Sequence, residues 1–227
     1  MTSVQQSVEA VVFDLDGTLV DSALDIAFSL NAFLAEIARP PLPLETVKTM
    51  IGEGARTLIE RALAATGAVP PADDVQALTR RFLGLYEAAA ADRTTAYPGV
   101  ASALRELQAS GLRLGLCTNK PERATRLLLT ALALDPLFEV IVGGDTLAGV
   151  LKPDPRPLLH ALDALGAAAE RAVMVGDSLI DVASARAAGL RVLVRRGGYA
   201  RGPAEALGAD GIFDAFCDLP QAIRQLS

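Results

Sequence analysis

Short apolar runs that end in polar or glycine residues recur along the chain. Five of them have the length and the β-branched content of strands buried in a parallel sheet. They are residues 9–13, 113–117, 139–142, 172–175 and 191–194. From residue 99 onward these runs alternate with helical patterns, at about 99–110, 121–132, 155–166 and 179–188. The alternation predicts an α/β fold with a Rossmann-like, doubly wound parallel sheet.

Residues 19–93 interrupt this alternation. Strand signals vanish there, and apolar residues recur at helical spacing from residue 26 to residue 37. Further helical patterns, separated by proline and glycine, occupy residues 43–50, 54–65 and 73–91. We therefore expect a four-helix cap domain over residues 19–93, inserted into an α/β core domain of residues 1–18 and 94–227. Both crossings are expected at the carboxyl edge of the sheet, which suits a hinge.

Composition and charge narrow the range of functions. Apolar residues make up 51% of the 227 residues and charged residues 21%, so the chain is globular rather than disordered. Its 21 Lys and Arg against 27 Asp and Glu leave a net charge of −6 with no basic tract, which argues against nucleic acid or a membrane surface as partner. A small molecule is the expected partner, and a monomer or a homodimer is the expected assembly.

Cysteine and histidine are scarce. Two cysteines cannot form a disulfide framework and fit a reducing compartment. No charged leader precedes Arg39, and no apolar run approaches the roughly 18 residues of a membrane span, so a cytoplasmic location is expected. A single histidine, His160, argues against Ser-His-Asp triads and multi-histidine zinc sites. Carboxylates must therefore carry the chemistry.

Polar side chains cluster at the predicted carboxyl ends of the strands, where open α/β sheets bind ligands. They are Asp14, Asp16, Thr118, Asn119 and Asp177, which Lys152 can join from the loop after the third strand. Carboxylates hold a hard cation such as Mg²⁺ through oxygen. An ammonium and a hydroxyl would face the oxygens of a phosphoryl group and offset their repulsion of an attacking carboxylate. These residue types predict a magnesium-dependent site for phosphoryl chemistry.

Four short motifs resemble those of the haloacid dehalogenase superfamily. They are Asp14-Leu15-Asp16-Gly17-Thr18, Thr118-Asn119-Lys120, Lys152-Pro153, and Gly176-Asp177-Ser178 followed by Asp181. All four occur in the order of the superfamily, whose commonest variant in bacterial phosphatases has a helical cap after the first motif. Within it, residues 51–56, 58–63 and 97–100 are similar to phosphoglycolate phosphatases. The resemblance covers the whole chain and implies hydrolysis of a small phosphomonoester. The substrate that it implies first is 2-phosphoglycolate.

The resemblance also implies roles for the acidic motif residues. Asp14 would attack phosphorus and form an aspartyl-phosphate. Asp16 would protonate the leaving alkoxide and later accept a proton from water. Mg²⁺ would be held by the carboxylates of Asp14 and Asp177 and by the backbone carbonyl of Asp16.

The remaining motif residues are expected to bind or orient the phosphoryl group. Thr118 and Lys152 would bind it, with Asn119 and the Gly17 backbone assisting. Asp181, one helical turn beyond the last metal ligand, would orient Lys152 or a water on the metal. The alternative for Asp181 is a plain carboxylate on the helix surface or a partner of the helix dipole in the first turn.

The loop at residues 52–56 is the expected contact for the carboxylate of 2-phosphoglycolate, through Glu53, Gly54 and Arg56. Glycine makes this loop flexible, and Arg56 is able to bind a carboxylate with two hydrogen bonds. Glu53 would repel the anion if it pointed inward. The alternative for Arg56 is an exposed ion pair with Glu60, four residues further on.

Other functions stay open at this point. A pyrophosphatase, a phosphosugar mutase or another phosphatase could use the same motifs, and a catalytically silent phospho-ligand sensor could share the fold. A dehalogenase needs neither Mg²⁺ nor an acid for the leaving group, so Asp16 and Asp177 argue against it. Cys117 and Arg123 have the C-x5-R spacing of cysteine phosphatases, but no glycine lies between them to let backbone amides converge on a phosphate.

Overall fold

A parallel six-stranded sheet forms the centre of the computed structural model, which describes residues 7–89 and 91–226. Two further strands, β2 and β3, form a separate two-stranded sheet. The strands are, in chain order, β1 (Ala10–Phe13), β2 (Val20–Asp21), β3 (Thr95–Ala96), β4 (Arg113–Cys117), β5 (Val140–Val142), β6 (Ala172–Gly176), β7 (Arg191–Arg195) and β8 (Gly211–Phe213). The helices are α1 (Ala23–Glu36), α2 (Leu44–Lys48), α3 (Gly54–Thr66), α4 (Ala72–Ala88), α5 (Val100–Ala109), α6 (Glu122–Ala131), α7 (Arg156–Leu165), α8 (Leu179–Ala188) and α9 (Leu219–Leu226). Short 3-10 helices occupy Asp135–Leu137, Ala169–Arg171, Ala204–Leu207 and Phe216–Asp218.

The apolar side chains of β1 explain its central position. All four residues of this strand are fully buried, as expected for a strand with helices packed on both faces of the sheet. The sheet order is β5-β4-β1-β6-β7-β8, and Phe13 pairs in parallel with Leu116 of β4 and Val175 of β6. Strands β4 and β5 lie on one side of β1, and β6, β7 and β8 lie on the other. The loops after β1, β4 and β6 therefore meet at one edge of the sheet. The predicted doubly wound α/β fold is confirmed.

Apolar patterns located most elements but not their ends. The helix predicted at 43–50 is only the five residues of α2, and the one predicted at 73–91 is α4, which ends at Ala88. The strand β8 and the helix α9 were not predicted. β8 is three residues long with one buried side chain, Phe213, and is too short to leave a periodic pattern.

Helices α1 to α4 lie within residues 19–93, named here the helical segment, and bury an apolar cluster of their own. Fully buried members of the cluster include Leu30, Phe33 and Ile59. α1 packs on α4 and α2, and α3 packs on α4. Ala124 of α6 joins this cluster from the core side. The helical segment therefore has its own core and meets the rest of the protein near α6.

The two crossings into the helical segment are hydrogen-bonded to each other. β2 and β3 pair antiparallel, with Val20 opposite Ala96. The buried carboxylate of Asp25 in α1 accepts hydrogen bonds from the N–H groups of Arg93 and Thr94, at 3.0 and 2.8 Å. The Thr94 hydroxyl donates a third hydrogen bond to Asp25, at 2.7 Å. The crossings therefore form one connection beside the loop that follows β1.

Two glycine-to-alanine substitutions should change the free energy of unfolding in opposite directions. Gly143 follows β5, and a Cβ atom there would lie 2.5 Å from the backbone N and Cα of Glu122, where α6 begins. We expect Gly143→Ala to lower the free energy of unfolding by roughly 1–3 kcal/mol, because backbone must shift. Gly84 lies inside α4 with no atom within 4 Å of a Cβ, so Gly84→Ala should raise it by about 0.5–1 kcal/mol. Urea unfolding measures both changes, and a neutral Gly143→Ala variant would contradict the close packing.

Candidate active site

Charged and polar side chains gather at the carboxyl edge of the sheet. Asp14 directly follows β1, Thr118 follows β4 and Asp177 follows β6. Lys152 reaches the same place from the loop between β5 and α7. All four residues are buried. The sheet order thus brings together predicted site residues that are far apart in the sequence.

Lys152 is the cation at the centre of this group. Its Nζ lies 3.0 Å from Asp14 Oδ1 and 2.7 Å from Asp181 Oδ1. Burial lowers the pKa of Lys152, but the negative charges of Asp14 and Asp181 outweigh burial, and the pKa is raised above its ordinary value. A charged ammonium beside Asp14 is suited to binding the oxygens of a phosphoryl group.

Three carboxylates, those of Asp14, Asp177 and Asp181, have oxygen atoms within 4.8 Å of one another. Burial raises the pKa of Asp14 to about 6, against the opposing charge of Lys152. Burial also raises the pKa of Asp177 to about 8, and the charges of Asp181 and Asp14 add to this shift. The ammonium of Lys152 does not balance three carboxylates, and oxygen ligands of this kind hold hard divalent cations. The donor set fits a metal ion.

Hydrogen bonds and close packing set the direction of the Asp177 carboxylate. Its Oδ1 accepts a hydrogen bond from Thr18 Oγ1 at 2.8 Å, and its Oδ2 accepts one from the Tyr199 N–H at 2.6 Å. A Cβ atom would lie 2.6 Å from Asp177 Oδ2 at Gly17 and 2.3 Å from it at Gly198. Glycine at both positions lets the backbone approach the carboxylate, and Gly17 also has a positive φ of 85°.

Asp181 lies behind this group of side chains. Its Oδ2 accepts hydrogen bonds from the N–H and the Oγ of Ser178, which complete a capping box at the start of α8. Its Oδ1 accepts a hydrogen bond from Lys152 Nζ. Asp181 is 0% exposed, so it is not a plain surface carboxylate, and it lies in the first turn of α8, where an acidic side chain is a partner of the helix dipole. Its contact with Lys152 is compatible with the predicted orienting role.

Asp16 forms a buried ion pair that no sequence pattern predicted. Its Oδ2 lies 3.0 Å from the Nζ of Lys120, and its Oδ1 accepts a hydrogen bond from Ser22 Oγ at 2.5 Å. Lys120 Nζ also lies 4.5 Å from the centroid of the Tyr86 ring in α4. Burial lowers the pKa of Lys120, but the charge of Asp16 outweighs burial, and the pKa is raised. Lys120 is a site residue that sequence reasoning missed, although it belongs to the second motif.

Asn119 connects the loop after β4 to the loop that carries Lys152. Its Oδ1 accepts a hydrogen bond from the Lys152 N–H at 2.8 Å, and its Nδ2 donates one to the Lys152 carbonyl oxygen at 2.9 Å. The same Nδ2 donates to the carbonyl oxygen of Gly52 in the helical segment, at 2.9 Å. Asn119 therefore holds the Lys152 backbone in place.

A small cleft of about 60 Å³ lies between the sheet edge and the helical segment. Asp14, Asp16, Thr118, Asn119 and Lys120 line it from the sheet side. Apolar or aromatic side chains line it from the other side, and they are Ile26, Ile51, Leu58, Phe82, Leu83 and Tyr86. Among the described lining residues, Lys120 alone is cationic.

The predicted substrate loop is divided between the cleft and the outer surface. Gly54 lines the cleft, whereas Glu53 and Arg56 are not among its described lining residues. Arg56 Nε lies 2.9 Å from Glu60 Oε1, and 55% of the Arg56 side chain is exposed. Glu53 pairs with Arg61. The structure therefore has Arg56 in the exposed ion pair, and both charged groups of the predicted loop have ion-pair partners outside the described lining of the cleft.

The cysteine of the C-x5-R pattern is unsuited to phosphate binding. Burial raises the pKa of Cys117 to about 12, so its sulfur is a neutral thiol. Arg123 pairs with Glu87 at 2.9 Å and has 79% of its side chain exposed. The two residues do not form a phosphate cradle.

Comparisons with known proteins agree with this geometry. Residues 8–189 match the family model of haloacid dehalogenase-like hydrolases. The chain is 50% identical over 216 residues to a phosphoglycolate phosphatase from Rhodospirillum rubrum, with 93% of this chain and 89% of the relative covered. It is 45% identical over 212 residues to one from Caulobacter vibrioides, with the same coverage of 93% and 89%. The crystal structure of a predicted phosphoglycolate phosphatase from Haemophilus somnus has a TM-score of 0.89 at 32% identity, and covers 96% of this chain and 98% of that chain.

The protein belongs to the haloacid dehalogenase-like hydrolases, as its four motifs predicted. It is an enzyme, a phosphoric monoester hydrolase similar to the phosphoglycolate phosphatases. Its substrate is accordingly a small phosphorylated metabolite. None of the described helices has the length and the apolar character that crossing a membrane requires.

Asn119→Ala should impair catalysis as well as stability. The substitution removes both hydrogen bonds to the Lys152 backbone, so Lys152 is no longer held beside Asp14. We expect phosphatase kcat/KM to fall roughly 10- to 100-fold, as for other small displacements of a catalytic group. The free energy of unfolding should fall by about 1–3 kcal/mol, because buried backbone groups lose their partner.

Asn31→Ala is the matched control for this variant. Asn31 makes the same two hydrogen bonds with the N–H and the carbonyl oxygen of Leu42, at 2.8 and 3.0 Å, inside the helical segment. Removal of the Asn31 side chain should lower the free energy of unfolding and leave kcat/KM for an aryl phosphate near the wild-type value. Equal losses of activity in the two variants would show that Asn119 has no special part in holding Lys152.

Proposed function

We propose that the protein hydrolyses 2-phosphoglycolate to glycolate and phosphate, with Mg²⁺ as cofactor and an aspartyl-phosphate intermediate on Asp14. One observation carries the proposal: Asp14 and Asp16 line a small cleft in which Lys120 is the cationic lining residue. Phosphate chemistry accounts for the two carboxylates, and Lys120, which pairs with Asp16 in the structure, offers a cation to a second anionic group on the substrate. The relatives named phosphoglycolate phosphatase support this choice of substrate.

The proposed Mg²⁺ ligands are the carboxylates of Asp14 and Asp177 and the backbone carbonyl of Asp16. Burial and the neighbouring carboxylates raise the pKa values of Asp14 and Asp177. A divalent cation would stabilise the charged forms of both side chains and so offset these effects. When bound, the ion supplies electrostatic stabilisation of the phosphoryl oxygens. Asp181 is not proposed as a ligand, because its Oδ2 accepts three hydrogen bonds at the start of α8 and its Oδ1 accepts one from Lys152.

In the first proposed step, a carboxylate oxygen of Asp14 bonds to phosphorus while the bond from phosphorus to the glycolate oxygen breaks. Lys152, whose Nζ lies 3.0 Å from Asp14 Oδ1, binds the non-bridging oxygens together with Thr118. The leaving alkoxide takes a proton from Asp16, and glycolate departs.

In the second step, water attacks the phosphorus of the aspartyl-phosphate and gives a proton to Asp16. The bond between phosphorus and Asp14 then breaks, which releases phosphate and restores the carboxylate. Asp16 serves as acid in one step and as base in the other, and it ends the cycle with the proton that it gave up. Its position on the cleft beside Asp14 supports both roles.

Lys120 is the proposed partner of the substrate carboxylate, in place of Arg56. It lines the cleft, whereas Arg56 is exposed and paired with Glu60. The Tyr86 ring and the ion pair with Asp16 hold its ammonium at the cleft wall. A substrate carboxylate gives Lys120 another anion to pair with while Asp16 acts as the acid.

We further propose that residues 19–93 act as a cap domain on a core domain of residues 1–18 and 94–227. The separate apolar cluster and the paired crossings support movement of this segment as a unit. Closure would exclude water from the reacting groups. The apolar wall of the cleft would then leave room for small substrates only.

Asp14→Asn should abolish turnover, because the amide is not a nucleophile. We expect kcat for 2-phosphoglycolate to fall at least about 10³-fold, with an unchanged circular dichroism spectrum. Asp163→Asn, on the exposed face of α7, is the matched control and should retain wild-type kcat. Wild-type turnover should stop with EDTA and return with Mg²⁺.

The same assay distinguishes the other functions. A highest kcat/KM for pyrophosphate, or a requirement for a sugar bisphosphate, would identify a pyrophosphatase or a mutase. A folded wild-type protein without Mg²⁺-dependent turnover on 2-phosphoglycolate, pyrophosphate or an aryl phosphate would indicate a sensor. Turnover near the wild-type rate in Asp14→Asn would exclude Asp14 as the nucleophile.

Lys120→Met should reduce selectivity for the substrate carboxylate. We compare 2-phosphoglycolate with 2-hydroxyethyl phosphate, which has a hydroxymethyl group where the carboxylate stands. The ratio of their kcat/KM values should fall about 10- to 100-fold, the effect of losing a charge-assisted hydrogen bond. Any effect of Lys120 on Asp16 would change both substrates alike and cancel in the ratio.

Lys48→Met and Arg56→Ala complete this comparison. Lys48 pairs with Glu45 at 2.9 Å and is not among the described cleft residues, so the ratio should keep its wild-type value in Lys48→Met. A ratio that falls in Arg56→Ala and not in Lys120→Met would assign the carboxylate to Arg56 instead.

A further inference from the structure

The loop that follows β7, residues 196–203, contacts both the Asp177 carboxylate at the edge of the sheet and the helical segment. The N–H of Tyr199 donates a hydrogen bond of 2.6 Å to Asp177 Oδ2. The preceding residue, Gly198, lies so close that a Cβ atom there would be 2.3 Å from the same oxygen. The backbone of this loop therefore rests directly on the Asp177 carboxylate.

The side chain of Tyr199 points to the first crossing into the helical segment. Its hydroxyl accepts hydrogen bonds from the N–H groups of Ser22 and Ala23, at 2.8 and 3.0 Å, and donates one to Asp21 Oδ1 at 2.7 Å. Ser22 is the N-cap residue of α1 and makes no side-chain capping bond. The Tyr199 hydroxyl thus accepts the hydrogen bond of the Ser22 N–H, and it shares the Ala23 N–H with Asp21 Oδ1, which lies 3.3 Å from that nitrogen.

All three hydrogen bonds of the Tyr199 hydroxyl are made with residues 21–23, at the first crossing. A side chain with three partners on one crossing, and a backbone N–H on Asp177, has little freedom to move independently of either.

The second crossing is held from the same part of the chain. Arg195, at the end of β7, stacks on the Tyr97 ring with its guanidinium carbon 3.5 Å from the ring centroid. Its Nη1 donates a hydrogen bond of 3.1 Å to the carbonyl oxygen of Gly17, which also packs on Asp177. Tyr97 N–H in turn bonds to the Leu19 carbonyl oxygen at 3.0 Å. Both crossings are thus tied to residues that surround one carboxylate.

A third contact reaches the far side of the cleft. Arg201 donates a hydrogen bond to the carbonyl oxygen of Thr49 and lies 3.5 Å from Glu53 Oε1. This contact is exposed and contributes little by itself. It does place the same loop against the cleft-facing end of the helical segment, next to residues 51–54.

We propose that Tyr199 is a positioning residue that couples the placement of the helical segment to the orientation of the Asp177 carboxylate. When the crossing is held by the hydroxyl, the Tyr199 N–H is held on Asp177, and the carboxylate points at the metal position. When the crossing moves, the N–H moves with it. The inference rests on the proposed function for the identity of the metal as Mg²⁺.

Tyr199→Phe tests the coupling, since it removes the hydroxyl and keeps the ring and the N–H. Isothermal titration of Mg²⁺ into the protein without substrate should give a Kd raised roughly tenfold, as for other outer-shell partners of metal ligands. Hydrogen exchange at the Ser22 and Ala23 amides should also become faster. At saturating Mg²⁺ most of the kcat should return, because the N–H that contacts Asp177 is still present.

Two further variants make the test decisive. Tyr97→Phe makes the same chemical change on the second crossing, keeps the ring that stacks on Arg195, and should leave the Mg²⁺ Kd within twofold of wild type. Asp21→Ala removes the acceptor of the Tyr199 hydroxyl and should weaken Mg²⁺ binding in the same direction as Tyr199→Phe. It decides the question if Tyr199→Phe does not fold.

The outcomes separate this inference from the proposed function. A Kd raised in Tyr199→Phe and Asp21→Ala but not in Tyr97→Phe supports the coupling. Faster exchange at Ser22 and Ala23 with an unchanged Kd overturns it, because Tyr199 would then only cap α1. A wild-type protein that binds no Mg²⁺ contradicts the proposed function itself. If the wild-type protein binds Mg²⁺ and turns over substrate, and Tyr199→Phe has the same Mg²⁺ Kd, the coupling alone is contradicted.

Discussion

The arrangement of the site depends on keeping three buried carboxylates beside one another. Asp14, Asp177 and Asp181 repel each other, and burial makes their charged forms unfavourable. Lys152 offsets part of this charge, but a buried ion pair is not strongly stabilising by itself, since desolvation opposes the Coulomb attraction. The group must therefore be held by the surrounding fold. The buried strands β1 and β6, the capping box of α8 and the Asn119 side chain provide that support.

The supporting fold also separates the chemistry from the selection of substrate. The groups proposed to act on phosphorus come from loops at the edge of the parallel sheet. The opposite wall of the cleft is apolar and comes from helices with a core of their own. Lys120 lies between the two parts, against Asp16 on one side and the Tyr86 ring on the other. In the proposed function, a substrate that carries a carboxylate as well as a phosphate would contact both parts at once, which favours it over phosphomonoesters without a second anionic group.

The crossings of the chain are more constrained than a simple linker. Asp25 binds the backbone of the returning segment, and Tyr199 binds the backbone of the departing one. Both side chains accept hydrogen bonds from N–H groups at the crossings, and a buried N–H group without a partner is costly in a protein interior. Any movement of the helical segment must therefore preserve these bonds or replace them with water. For the proposed cap movement, this favours rotation about the short connection at the crossings.

The amino-acid sequence by itself determined the fold class and the place of the main carboxylates. Buried strands and amphipathic helices leave periodic apolar patterns, and Asp14 and Asp177 directly follow two such strands. Only the tertiary structure decided which partner each charged side chain takes. Lys120 meets Asp16 across 104 residues, and Tyr199 meets Asp21 across 178, distances over which local patterns carry no information. Arg56 had two partners compatible with its sequence, and the packing of the helical segment left it exposed beside Glu60.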